Sequence, residues 1–105
     1  MDSRRAVIIG YDAVSPLGID LETQWRKALA GESGIGLLTR FRPATDFPVQ
    51  VAGQVPSIDH LPYPFLKPRE QARWVSPIFK YALVTVQRAL DRSGLVITPE
   101  LAPRV

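Results

Sequence analysis

Few side chains in this sequence are equipped for covalent or proton-transfer chemistry. There is no cysteine, so there is no thiolate nucleophile, no disulfide and no Cys-ligated metal. The single histidine, His60, lies in Asp59-His60-Leu61-Pro62, inside a proline-rich stretch, and reads as a solvated loop histidine. No catalytic residue and no metal ligand set is expected. The concentrated chemistry is basic. Between Phe65 and Arg92 stand six basic residues (Lys67, Arg69, Arg73, Lys80, Arg88, Arg92) against two acidic ones, Glu70 and Asp91. Such an excess steers an acidic partner in a salt-dependent way. The competing reading is an ordinary solvated helix face.

Two glycine-bearing stretches invite a nucleotide reading and fail it. Gly10-Tyr11-Asp12-Ala13-Val14-Ser15 lacks the second and third glycines of a dinucleotide-binding turn, and no acidic residue closes a following strand. Gly31-Glu32-Ser33-Gly34-Ile35-Gly36 lacks the Gly-Lys-Ser/Thr ending of a phosphate loop. No cofactor is expected from either.

The elements that must position the basic residues follow from pattern. Ala6 to Ile9 is an unbroken apolar run closed by Gly10, the pattern of a strand covered on both faces. Asp20 is a good N-cap for a helix from Leu21 to Ala30, with Gly31 suited to its left-handed end. Leu21, Trp25, Ala28 and Leu29 share one apolar face, which places Trp25 in a core. The segment 31–48 reads as a connection anchored by Phe41 and Phe47. Val49, Val51, Gly53 and Val55 alternate with Gln50, Ala52 and Gln54, a half-buried strand. Four prolines between 56 and 68 predict a surface loop or flap. Pro68 to Arg73 predicts a short helical turn.

Ser76-Pro77 opens a long helix ending near Ser93-Gly94. Its apolar stripes are Ile78, Ala82, Thr85, Ala89 and Phe79, Leu83, Val86, Leu90. Trp74, just before it, is expected to pack. Leu95 to Ile97 reads as a short extended piece, and Thr98-Pro99-Glu100 as the start of another turn. Two strands and two helices make an α/β pattern whose layers are incomplete.

The 105 residues fit one domain, and a hydrophobic content of 46% with 22% charged residues is ordinary for a soluble globular chain. No apolar run approaches the roughly 20 residues of a membrane span, and the N-terminus has no signal-peptide core. The expectation is a cytoplasmic protein without membrane association. A net charge of +3 gives no ground for a nucleic-acid partner.

The order of motifs is familiar. Gly10 to Gly18 (Gly-x-x-Ala-Val-Ser-Pro-Leu-Gly) precedes a Trp-bearing helix, then Leu29 to Ile35 (Leu-Ala-Gly-Glu-Ser-Gly-Ile), Arg40-Phe41, Asp46 to Val49 and Ala52 to Val55. A basic segment, Lys67 to Arg73, leads into a helix with Tyr81-Ala82, Ala89-Leu90 and Ser93-Gly94-Leu95, followed by Ile97 to Glu100 and Pro103-Arg104-Val105. Over essentially its whole length the chain resembles the N-terminal part of the β-ketoacyl-acyl carrier protein synthases, the condensing enzymes of fatty-acid and polyketide assembly.

The resemblance implies a thiolase-like parent with αβαβα layers, a homodimer or a pairing with a ketosynthase-like partner, and decarboxylative Claisen condensation on a cysteine thiolate. It places that cysteine and the histidines beyond Val105, so residues 1–105 would be the N-terminal segment of the family's N-terminal domain, stopping before the nucleophile. It also implies that Lys67, Arg69 and Arg73 help dock an acidic acyl carrier protein. A non-catalytic partner of the chain-length-factor type and a carrier-docking module are the alternatives. Tyr11-Asp12, Pro62-Tyr63-Pro64, Glu70 and the stretch Arg73 to Ile78 depart from the family pattern and suggest a divergent member.

Overall fold

A tight turn, Ser15-Pro16-Leu17-Gly18, organises the first half of the chain. In the computed structural model, which describes residues 3–73 and 76–105, Ser15 and Gly18 exchange both backbone hydrogen bonds at 3.0 Å. The Ser15 hydroxyl also accepts from the Leu17 N–H at 3.2 Å. The chain divides into two compact units. One is Ala13–Pro62, and the other joins the residues through Asp12 to Tyr63–Val105.

In the unit Ala13–Pro62, helix α1 spans Leu21–Leu29. Its start is the expected one: the Asp20 carboxylate accepts from the Thr23 N–H at 2.8 Å, satisfying a donor that the first turn leaves free. Its end is a Schellman motif. Gly31, at φ 75°, donates to the Ala28 carbonyl and Glu32 to the Lys27 carbonyl. Gln24 ties the helix back to the preceding segment through the Ala13 carbonyl at 2.8 Å.

The sheet differs from expectation. Strand β2 covers Val51–Gly53, shorter than the alternating run from Val49 to Val55. Its antiparallel partner β1 is Ile35–Leu37, within the segment read as a connection, in the register Ile35↔Gly53, Gly36↔Ala52, Leu37↔Val51. The alternating valines do not make a buried face: Val49 and Val51 are exposed and Val55 is half-buried. Phe41 and Phe47 are exposed too, so they anchor nothing.

The glutamines of the alternating run hold the loops. The Gln54 side chain accepts from the Thr39 and Arg40 N–H groups at 3.1 Å and donates to the Leu37 carbonyl at 3.1 Å. Arg40 reaches the Val55 carbonyl. Gln50 donates to the Ala44 and Phe47 carbonyls. The proline-rich loop is irregular as expected, yet it carries Ile58, only 3% exposed.

In the other unit, α2 is the single turn Pro68–Gln71 and α3 runs Pro77–Ser93. Pro77 holds the first helical position, but the Ser76 side chain makes no capping hydrogen bond, a departure from the cap expected of it. Gly94 closes α3 at φ 69°. The covered positions on α3 are Lys80 and Val84, at 8% and 5% exposure and four residues apart on one face. The two apolar stripes are covered only in part: Leu83, Thr85, Ala89 and Leu90 are half-buried, whereas Ile78, Phe79, Ala82 and Val86 are exposed. Leu95–Ile97 is neither helix nor strand, and Thr98 opens a turn as expected, accepting from Leu101 before a 3-10 turn at Ala102–Arg104.

The strand expected over Ala6–Ile9 is absent, and Val7, Ile8 and Ile9 are exposed. A strand exists through its ladder, and no segment pairs with this run among the described residues. Trp25, 67% exposed, is likewise outside any core. The reason is shared: β1 against β2 is the only packing of one element on another among the described residues. The expectation for Trp74 falls outside the described residues. The chain is thus a mixed helix-and-strand module. No helix among its described residues is long and apolar enough to cross a membrane.

Candidate functional site

Of the basic residues singled out by sequence, Lys67, Arg69 and Arg73 sit on and beside α2, and Lys80, Arg88 and Arg92 on α3. Pro68 occupies the first helical position, where its missing N–H costs nothing. The Lys67 N–H is taken by the Glu70 carboxylate at 2.7 Å. Glu70 is therefore engaged in closing its own turn, which gives this acidic departure a local structural task. Gln71 reaches back to the Leu66 carbonyl at 3.3 Å. Ahead of the turn, Phe65 adopts φ 67°, a left-handed conformation that a bulky side chain rarely takes.

Arg69 and Arg73, four residues apart, flank Glu70 around an open pocket of about 340 Å³. Both arginines and Lys67 are exposed, and Lys67 stands outside the pocket lining. Among the described residues neither arginine is in an ion pair. Two unpaired guanidinium forks at this spacing suit carboxylate or phosphate groups, which they bind through paired N–H donors. They supply no nucleophile and no general base. His60, in the other unit, is exposed in a turn, as the sequence suggests. No group of His, Asp or Glu among the described residues is arranged to hold a metal ion.

Three of the glycine and proline motifs come together in the unit Ala13–Pro62. A Cβ on Gly34 would lie 2.6 Å from Pro16 Cβ, and one on Gly53 would lie 3.0 Å from Pro16 Cγ. The turn Ser15–Gly18 therefore seats its proline ring against one glycine beside β1 and another on β2. The spacing of these residues carried no chemistry in the sequence because their task is close packing. Asp12 and Tyr63 stood out in the sequence only as departures from the family pattern, and Lys80 only as part of the basic excess. That Asp12 meets Arg92 and Lys80 meets Tyr63 has no local signal.

Among the described residues these features define a mixed helix-and-strand module with a basic, open pocket suited to an anion. The model of the β-ketoacyl synthase N-terminal domain matches residues 3–103, and the chain belongs to that family. Among curated relatives it is 38% identical over 105 residues to the 3-oxoacyl-[acyl-carrier-protein] synthase 2 of Coxiella burnetii. It is 37% identical to the protein of that name from Vibrio harveyi, and in both cases all of this chain is covered. A Staphylococcus aureus protein of the same name is 31% identical over 106 residues, covering 98% of this chain. The chain spans 24% of the length of these relatives.

Proposed function

We propose that this chain is the N-terminal segment of a β-ketoacyl-acyl carrier protein synthase of fatty-acid biosynthesis, built on a thiolase-like fold. The observation that carries this reading is the family match over residues 3–103, with every residue of the chain covered by relatives named 3-oxoacyl-[acyl-carrier-protein] synthase. In the proposed reaction a thiolate takes the acyl group from its carrier and releases the carrier thiol, malonyl-carrier loses carbon dioxide, and the resulting carbanion attacks the acyl thioester and expels the thiolate. The chain has no cysteine, so the nucleophile is a group outside residues 1–105. What this segment contributes is framework and a docking face.

Lys67, Arg69 and Arg73 form that face, and the acyl carrier protein, an acidic partner, is its occupant. The support is the exposure of both arginines around the pocket, with no ion pair to either among the described residues, together with the local basic excess. Association of this kind is steered by charge and weakens as salt rises.

The test is malonyl-carrier-dependent condensation by the full-length protein that carries this chain, alongside residues 1–105 alone. Activity in the first and none in the second is the expected result. Full-length protein that binds carrier but condenses nothing would move the reading to the non-catalytic, chain-length-factor type. Charge reversal at Arg69 and Arg73 should lower affinity for carrier at low salt by about tenfold or more, since removing paired charge contacts costs on the order of 1–3 kcal/mol. Unchanged affinity removes the docking face.

A further inference from the structure

The chain leaves the unit formed by its N-terminal segment and Tyr63–Val105 after Asp12, and rejoins it at Tyr63. Both of these residues are held by a cation on the same helix. The Asp12 side chain is 0% exposed, and its carboxylate stands 3.8 Å from the guanidinium of Arg92, in the last turn of α3. Neither Asp12 oxygen has a hydrogen-bond partner among the described residues. At the other end of α3, Lys80 places its ammonium 4.7 Å from the centre of the Tyr63 ring. Lys80 is itself covered.

We propose that α3 acts as a two-point clamp: Arg92 fixes Asp12 and Lys80 fixes Tyr63, so that the exit and the re-entry of the chain are pinned on one rigid element. Twelve residues separate the two cations, about 18 Å along a helix rising 1.5 Å per residue.

The energetics favour this assignment over incidental contact. A carboxylate withdrawn from water near a helix C-terminus meets the negative end of the helix dipole, so it persists only with a counter-charge. Arg92 is that counter-charge, and it is itself placed where the dipole favours a cation. The backbone is shaped for the contact. A Cβ on Gly10 would lie 2.4 Å from the Ala89 carbonyl oxygen and 2.8 Å from Ser93 Cβ. Only a glycine lets residues 10–12 lie this close to the end of α3. At the other end, the Lys80 ammonium lies over the negative face of the Tyr63 ring, a favourable seat for a cation, while the lysine stem packs.

Site-resolved thermolysin digestion of the full chain, read by mass spectrometry, tests the clamp. Cleavage before Val14 reports the exit and cleavage before Leu66 the re-entry. Asp12→Asn should raise the first about 5-fold and leave the second unchanged, and Lys80→Met should do the reverse, since a contact worth about 1 kcal/mol changes an opening equilibrium by that factor. Gly10→Ala, which touches neither charge, should behave like Asp12→Asn. Arg92→Met leaves a buried carboxylate unpaired and is the variant at greatest risk of unfolding. The double variant Asp12→Asn/Arg92→Met removes both charges, should keep the helix signal in circular dichroism, and should still show raised cleavage before Val14. Unchanged cleavage at the matching site, or an equal rise at both sites in every variant including the double, overturns the proposal.

Discussion

Each of the two units of this chain has its own kind of internal joint. In Ala13–Pro62 the joints are neutral and tight: Pro16 against Gly34 and Gly53, and Gln54 bonded to three backbone groups of the facing loop. In the other unit the specific joints are cationic: Arg92 with Asp12 and Lys80 with Tyr63. The first kind depends on shape, where an added methyl group is felt at once. The second depends on pairing as well as on shape, since its close glycine contact, Gly10 against the Ala89 carbonyl, stands beside the Asp12–Arg92 pair. Substitutions that remove charge should therefore hurt the second unit most, while added volume is felt in the first without any change of charge.

Gly34→Ala is the sharpest test of the shape-held unit. Its new methyl would sit 2.6 Å from Pro16 Cβ, well inside contact distance. The expected cost is about 1–3 kcal/mol, the range for overpacking a tight site, read as a lowered urea midpoint. Gly53→Ala meets a more movable ring atom at 3.0 Å and should cost less. Equal, negligible effects at both positions would show that the proline seat is loose.

Gln54→Ala comes next. It adds no volume but strips acceptors from Thr39 and Arg40 and a donor from Leu37. All three groups are exposed, so water replaces part of what is lost, and about 1–2 kcal/mol is expected. Faster amide exchange at residues 39 and 40 should accompany it. Asp20→Ala removes the cap of α1 and should cost about 1 kcal/mol, visible as fraying of the first turn in amide exchange at Thr23.

What the sequence made legible was what it encodes locally. The ends of α1 and α3 were readable because Asp20, Gly31, Pro77 and Gly94 act within a few residues of themselves, and the single turn of α2 because Pro68 does the same. The basic site was readable as composition. Its organisation was not: that the Glu70 carboxylate would be taken up by the Lys67 N–H is a choice among several close partners that residue order leaves open. The strand over Ala6–Ile9 was misread because apolar type announces a need for cover, while forming a strand requires a partner ladder. The partner of β2 was missed because Ile35-Gly36-Leu37 is too short to show alternation. Ile58 was missed because the prolines around it argue for irregular backbone, and irregular backbone can still bury a side chain. The joining of Asp12 to Arg92, far apart in sequence, has no local signature at all.

Trp25 sets the smallest expected effect and the most instructive one. On its helix it belongs to the apolar face of Leu21, Ala28 and Leu29, the pattern of a core helix, yet it is 67% exposed in this chain. Surface substitutions away from special features usually fall within about 0.5 kcal/mol, so Trp25→Ala should barely move the midpoint of residues 1–105. In the full-length protein proposed above, the same change should cost about 3–5 kcal/mol if this face is covered there, the range for removing a buried aromatic side chain. A neutral result in both settings would mean that the apolar pattern of α1 serves a face that stays open. A large cost in the short chain would mean that the indole is already covered within Ala13–Pro62. The contrast between the two settings therefore separates what the helix encodes from what its surroundings complete.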